Sequence, residues 1–234
     1  ALVVSKILVL LFNAMPAKWF CDYDEKPNSE LYKKRLFFRT DGIAIAIILS
    51  VAFISIHYQF SKNILFFLLC CFVVAVLIMI GVADYKYTII PDQFTLALLI
   101  IAVTITSYDL LSGNHILNST WYSPILGGLS GAGLFLLISF VGKLFYKNEV
   151  IGFGDVKLFG VIGVFTGFAQ VFILFVLTIF LAFLHIVYLF IRRKISKEVY
   201  LPLGPYICFG LFLFLTLNHQ IYSFCNWYVS LLRF

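Results

Sequence analysis

Residues 151–158 read IGFGDVKL, a glycine-flanked acidic residue, Asp155, set between two long apolar runs. An ionised carboxylate beside a bilayer core is costly; insertion scales put Asp at a helix centre at roughly 2.5–3.5 kcal/mol. A residue that expensive marks a functional site unless a partner explains it. The partner expected here is Asp84, in the stretch VADYKYTIIPDQ at residues 82–93. The rest of the chain then reads as a frame that brings Asp84 and Asp155 to one membrane face.

Composition sets the class. The chain has 234 residues, of which 62% are hydrophobic and 12% charged, with a mean hydropathy of +1.03. A soluble domain of this size carries about 25% charged residues. The expected architecture is all-α, one polytopic membrane domain over residues 1–234. The net charge of +6 reports topology, because Lys and Arg gather on the cytoplasmic side, and gives no reason to invoke nucleic acid. Cys21, Cys70, Cys71, Cys208 and Cys225 form no CxxC pair, so neither a zinc knuckle nor a disulfide framework is expected. No metal and no cofactor is expected.

In chain order, a first apolar helix covers residues 1–12. The apolar run to Ala14 is shorter than the ~20 residues a span needs, so either residues precede Ala1 or this helix enters at an angle. A cleaved signal peptide is a poor reading of it. Residues 13–41 form a mixed-charge loop, read as solvated or as a docking surface. Spans are expected at 42–58, 64–83, 94–108, 123–145, 171–191 and 205–217, with a short glycine-marked helix at 156–166 and an interfacial tail after 217. A break is expected near Gly167. That makes about eight transmembrane or membrane-inserted helices. The GxxxG pairs Gly127/Gly131 and Gly163/Gly167 read as close helix packing. Asn118-Ser119-Thr120 matches a glycosylation sequon, a pattern that arises often by chance.

The positive-inside rule tests this count. With residues 13–41 on the cytoplasmic side, all of the 17 Lys and Arg except Lys6, Lys62 and Arg233 fall on that side. The same alternation puts segments 84–92 and 147–155 there too, with Asp84 at the end of one helix and Asp155 at the start of another. Two neighbouring carboxylates at low dielectric do not both ionise easily, so the pair is expected to share a proton. Such a pair can activate water against a peptide carbonyl. Gly152 and Gly154 would admit a substrate backbone and let the turn adopt positive φ. Lys157 would support Asp155 or reach to lipid headgroups. Asp92 reads as a helix cap, Asp109 and Glu149 as solvated loop residues, and mid-span His185 as hydrogen-bonded to a neighbour. His57, His115 and His219 are scattered.

These residues resemble a known family. GFGDVKL resembles the GxGD motif of the type IV prepilin leader peptidases, membrane aspartyl proteases of bacteria. Asp84 to Asp92, DYKYTIIPD, fits that family's D-x(5–6)-IP-[DN] segment. Residues 201–206, LPLGPY, resemble its (I/L)PFGP segment, and Phe12, Asn13 and Pro16 its end of helix one. The resemblance implies an eight-helix endopeptidase of the inner membrane. It would cut short basic leaders from prepilin-like precursors at the cytoplasmic face and work beside a pilus or secretion machinery. Asp84 and Asp155 would be the catalytic dyad, with Gly152, Gly154 and Lys157 shaping the site. Bifunctional members carry paired CxxC zinc motifs after helix one and methylate the new N-terminus with S-adenosylmethionine. Residues 13–41 hold one cysteine, Cys21, so N-methyltransferase activity is not expected. The presenilin and signal-peptide-peptidase branch fits less well, since Asp84-Tyr85 reverses its Tyr-Asp and no Pro-Ala-Leu is present. Two other classes stay open: a proton-coupled transporter, and an inactive assembly protein of a pilus or secretion machine that keeps the fold.

Overall fold

The computed structural model describes residues 1–21, 35–60, 63–113, 120–145, 151–193 and 202–232. The expectations for residues 22–34, for the sequon residues Asn118 and Ser119, and for His115, Lys147, Glu149, Lys194, Lys197 and Leu201 fall outside them. Among the described residues there is no strand. The α-helices are α1 (Leu2–Ala14), α2 (Asp41–Phe60), α3 (Ile64–Tyr87), α4 (Asp92–Ser112), α5 (Ser123–Phe145), α6 (Phe153–Thr166), α7 (Phe168–Ile191) and α8 (Gly204–Leu232). A 3-10 turn at Ala17–Phe20 follows α1.

Helices α2, α3, α4, α5 and α7 are long and apolar enough to cross a membrane, and α1 and the Gly204–Leu217 part of α8 are shorter apolar helices. The protein is an all-α, multi-pass membrane protein. Its outer surface follows from that. Large apolar side chains such as Ile54, Leu137, Val176 and Phe183 stand exposed, because the surrounding solvent is hydrocarbon and only the helical backbone needs its hydrogen bonds closed internally. Leu217 leaves helical geometry at φ −121°, ψ 22°, where the last span was expected to end, but the chain resumes as helix to Leu232.

Several helices overrun the expected bounds. Helix α3 runs a turn past Asp84 and stops at Thr88, whose left-handed backbone (φ 57°, ψ 30°) lets its N–H donate to the Asp84 carbonyl. Helix α4 runs through Asp109, which is fully buried. The expectation of a solvated loop residue there is wrong: Leu110 and Leu111 carry the helix on, and Gly113 in the left-handed region (φ 66°) ends it.

The short α6 lies at the centre, packed most closely on α5. Gly127 and Gly163 oppose each other so tightly that a Cβ on either would strike the other's carbonyl oxygen. A Cβ on Gly131 would lie 2.7 Å from the Phe159 carbonyl oxygen. This is the close packing expected of the GxxxG pairs. Because backbone faces backbone, no rotamer relieves the clash. Gly163→Ala is expected to lower stability by about 3 kcal/mol, measured as an earlier thermal melt in detergent.

The break after α6 also has a cause. Gly167 adopts φ 86°, ψ 176°, a region essentially closed to other residues. The chain turns there, and the Phe168 N–H at the start of α7 donates to Ser123 Oγ at 3.2 Å.

Hydrogen bonds fix which helix ends meet. At one end of the bundle, Asn13 exchanges two bonds of 3.0 Å with the Leu36 backbone. The Arg35 guanidinium donates to the carbonyls of Phe12, Asn13 and Met15. Lys86 pairs with Asp41 at 2.9 Å, Lys157 with Asp92 at 2.9 Å, and Gly204 N–H with Asp84. So α1 and α3 end where α2, α4, α6 and α8 begin. At the opposite end Asn63 caps α3 and donates to the Tyr108 hydroxyl, and Gln59 donates to the Thr216 carbonyl. The alternation read from charge therefore holds in space for these helices.

Candidate active site

Asp84 sits in the last turn of α3 and Asp155 in the first turn of α6. Each is only 5% exposed, although both occupy helix ends. Over Asp84 the covering comes from α8. Its first residue, Gly204, donates its backbone N–H to Asp84 Oδ2 at 2.9 Å in a buried bond. A Cβ at Gly204 would lie 2.6 Å from that oxygen, so the approach is possible only for glycine. Pro205 follows, a residue suited to a first helical turn.

Asp155 is held differently. Its backbone N–H donates to the Gly152 carbonyl at 3.1 Å, but its Oδ1 is buried with no hydrogen-bond partner among the described residues. Buried polar atoms almost always find partners, so an oxygen left open marks a place for water or a substrate group. The two carboxylates interact electrostatically with one another. The Cys208 thiol, one turn beyond Gly204 in α8, is also buried. The structure thus brings together two acids separated by most of the chain's middle.

The glycines beside Asp155 act otherwise than expected. Neither Gly152 nor Gly154 has positive φ. Gly152 caps α6 at φ −67°, ψ 143°, a conformation open to any residue. Gly154 serves proximity, since a Cβ there would come to 3.2 Å from Ile90 Cβ, a contact tight enough that Ile90 would have to shift by a few tenths of an ångström. Ile90 belongs to the same IIPD segment that follows Asp84, so the two motifs pack directly on each other.

Lys157 neither turns to lipid alone nor serves Asp155 alone. Its ammonium bridges both carboxylate oxygens of Asp92, at 2.9 and 3.1 Å, and lies 4.9 Å from the Phe153 ring centre. Asp92 is therefore not the cap of α4; Pro91 holds that position, and Asp92 ties α4 to α6 instead. The pair is partly exposed, so Lys157→Ala is expected to cost no more than about 1 kcal/mol of stability, read as a small shift in melting temperature.

Two grooves flank the acids. One of about 360 Å3 runs between α2, α3 and α8 past Gly81, Tyr85, Lys86 and Cys208. The other, about 770 Å3, runs between α4, α5 and α6 with Asp92 and Lys157 at its mouth. Both have mostly apolar walls. Sequence reading gave no site role to Gly204 or Cys208. Gly204-Pro205 at a helix start was the available signal.

Residues 71–187 match the sequence profile of the type IV leader peptidase family, a region that contains both Asp84 and Asp155. The chain is 25% identical over 154 residues to the prepilin leader peptidase/N-methyltransferase of Bacillus subtilis, covering 64% of this chain and 56% of that protein. It is 31% identical over 126 residues to the prepilin leader peptidase/N-methyltransferase of Vibrio cholerae serotype O1, covering 54% and 46%. The chain spans about half the length of these curated relatives. No solved structure matches it. With half of its length matched to the profile, and both buried acids inside the match, the chain belongs to the type IV leader peptidase family.

Proposed function

We propose that the protein is a membrane aspartyl endopeptidase that removes the short basic leader of type IV prepilin-like precursors. Asp84 and Asp155 are its catalytic residues. The observation that carries this reading is the meeting of two buried carboxylates from remote segments at one end of the bundle, one with an open oxygen.

The pair holds one proton and a water. The ionised carboxylate takes a proton from that water as its oxygen bonds to the scissile carbonyl carbon. The protonated carboxyl donates to the carbonyl oxygen as it gains charge. The tetrahedral species collapses when the C–N bond breaks, the nitrogen leaving with a proton from the dyad. One carboxyl and one amine result, and the dyad again holds a single proton. Gly204 N–H orients Asp84 throughout. Gly154 and the Lys157–Asp92 pair keep Asp155's helix against the Asp84 segment.

The distribution of Lys and Arg supports an orientation in the bacterial inner membrane with this end in the cytoplasm. Both relatives' names include N-methyltransferase. For this chain we propose cleavage without methyl transfer, because residues 13–41 hold a single cysteine. The test is to incubate the purified protein with a prepilin-like precursor and a methyl donor, then weigh the product. The expected product is the mature chain lacking its leader and carrying no added methyl group. An intact precursor would defeat the peptidase reading, and a methylated product would defeat the narrower one.

A further inference from the structure

His185 lies well inside α7, a helix whose neighbouring side chains Phe183, Leu184 and Ile186 are exposed to an apolar surrounding. A polar ring at that depth is costly without a partner. Its partner is Tyr206: His185 Nδ1 and the Tyr206 hydroxyl share a hydrogen bond, and the rings meet edge-on at 5.6 Å. Tyr206 belongs to the first turn of α8. Its N–H donates to the Leu203 carbonyl at 3.0 Å, as does that of Ile207 at 3.1 Å. Gly204, inside the same turn, donates to Asp84 Oδ2.

These contacts form one continuous line from α7 to the Asp84 carboxylate. Further along the α7–α8 pair, Gly210 lies against Thr178, with room for no Cβ beyond 3.1 Å from Thr178 Oγ1. That contact brings the two helices close further along, and the His185–Tyr206 bond joins α7 to the first turn of α8 itself.

We propose that His185 is a positioning residue: through Tyr206 it locks the first turn of α8 so that the Gly204 N–H meets the Asp84 carboxylate. This rests on the reading of Asp84 as a catalytic residue. His185 touches no substrate. It acts on how often the dyad is correctly aligned, so its removal slows turnover and leaves substrate affinity alone.

The experiment measures kcat and KM for precursor cleavage by the purified full chain, with melting temperature recorded for each variant. Tyr206→Phe keeps the ring and its packing and removes only the hydroxyl. It and His185→Ala are each expected to lower kcat by about tenfold with KM little changed, as for a small misplacement of a catalytic group. The double variant is expected to lose no more than either single one, because both delete the same bond. His185→Asn, whose amide can place a polar atom near the Nδ1 position, is expected to recover most of the loss. An unchanged kcat in Tyr206→Phe would overturn the proposal, as would additive losses or an Asn variant no better than Ala. Full activity in Asp84→Asn would instead overturn the dyad on which the proposal rests.

Discussion

Asp84→Asn and Asp155→Asn are each expected to lower leader cleavage by about ten-thousand-fold, the upper range for positioned acid–base groups. Both substitutions keep shape and volume. Neither leaves a group able to cycle a proton, and a dyad loses its function with either member. The fold should survive. The amide oxygen introduced by Asp84→Asn can still accept the Gly204 N–H that Asp84 Oδ2 accepts at 2.9 Å. Asp155→Asn replaces a buried carboxyl, whose Oδ1 has no hydrogen-bond partner among the described residues, with a neutral group of the same size, so its melting temperature should be no lower than that of the parent. Initial rates on a prepilin-like precursor, with melting measured on the same samples, test this. Full cleavage by either variant would sink the dyad. The same pair of variants separates the peptidase from a proton-coupled transporter. A transporter reading expects proton movement in proteoliposomes that both variants lose, with no peptide product from the parent.

What could be read in the sequence divides along a physical line. Features whose cost is local were legible. An aspartate in an apolar run is conspicuous wherever the chain goes, which is why Asp84 and Asp155 stood out. A glycine break is forced once the charges on either side must share a face, and this points to Gly167, whose φ is 86°. GxxxG spacing places small residues on one helix face and so announced the Gly127–Gly163 contact. Features that depend on where a distant helix lands were not legible. The bond from Gly204 to Asp84 joins residues 120 positions apart, and that from Lys157 to Asp92 joins residues 65 apart. Asp109 failed for a related reason. Hydropathy finds the middle of a span better than its end, and a buried acid near the end looks like the first residue of a loop. Gly154 differs from expectation in another way: glycine can supply backbone freedom or absence of bulk, and with no positive φ there the tight approach to Ile90 puts the weight on bulk.

Gly204→Ala gives the sharpest expected separation of activity from stability. The added Cβ would sit 2.6 Å from Asp84 Oδ2, 3.0 Å from its Cγ and 3.1 Å from its Cβ. Neither partner can yield without consequence. If the first turn of α8 retreats, the N–H bond to Asp84 lengthens and breaks. If the carboxylate swings away, the dyad geometry with Asp155 changes. Either response displaces a reacting group by something near an ångström, which costs about hundredfold in rate. The backbone itself is not strained by a side chain, since Gly204 does not have positive φ. The atom struck is the end of a side chain that can turn rather than fixed backbone, so the melting temperature should fall far less than for Gly163→Ala while turnover drops. Gly81→Ala is the matched control on the same α3–α8 contact. Its Cβ would meet Cys208 Cβ and Pro205 Cα at 3.7 and 3.8 Å, ordinary van der Waals distances, and it is expected to cleave at close to the parent rate. If Gly204→Ala cleaves as well as Gly81→Ala, the N–H bond to Asp84 has no part in the reaction. A large loss confined to Gly204→Ala, with both variants folded, ties the first turn of α8 to catalysis.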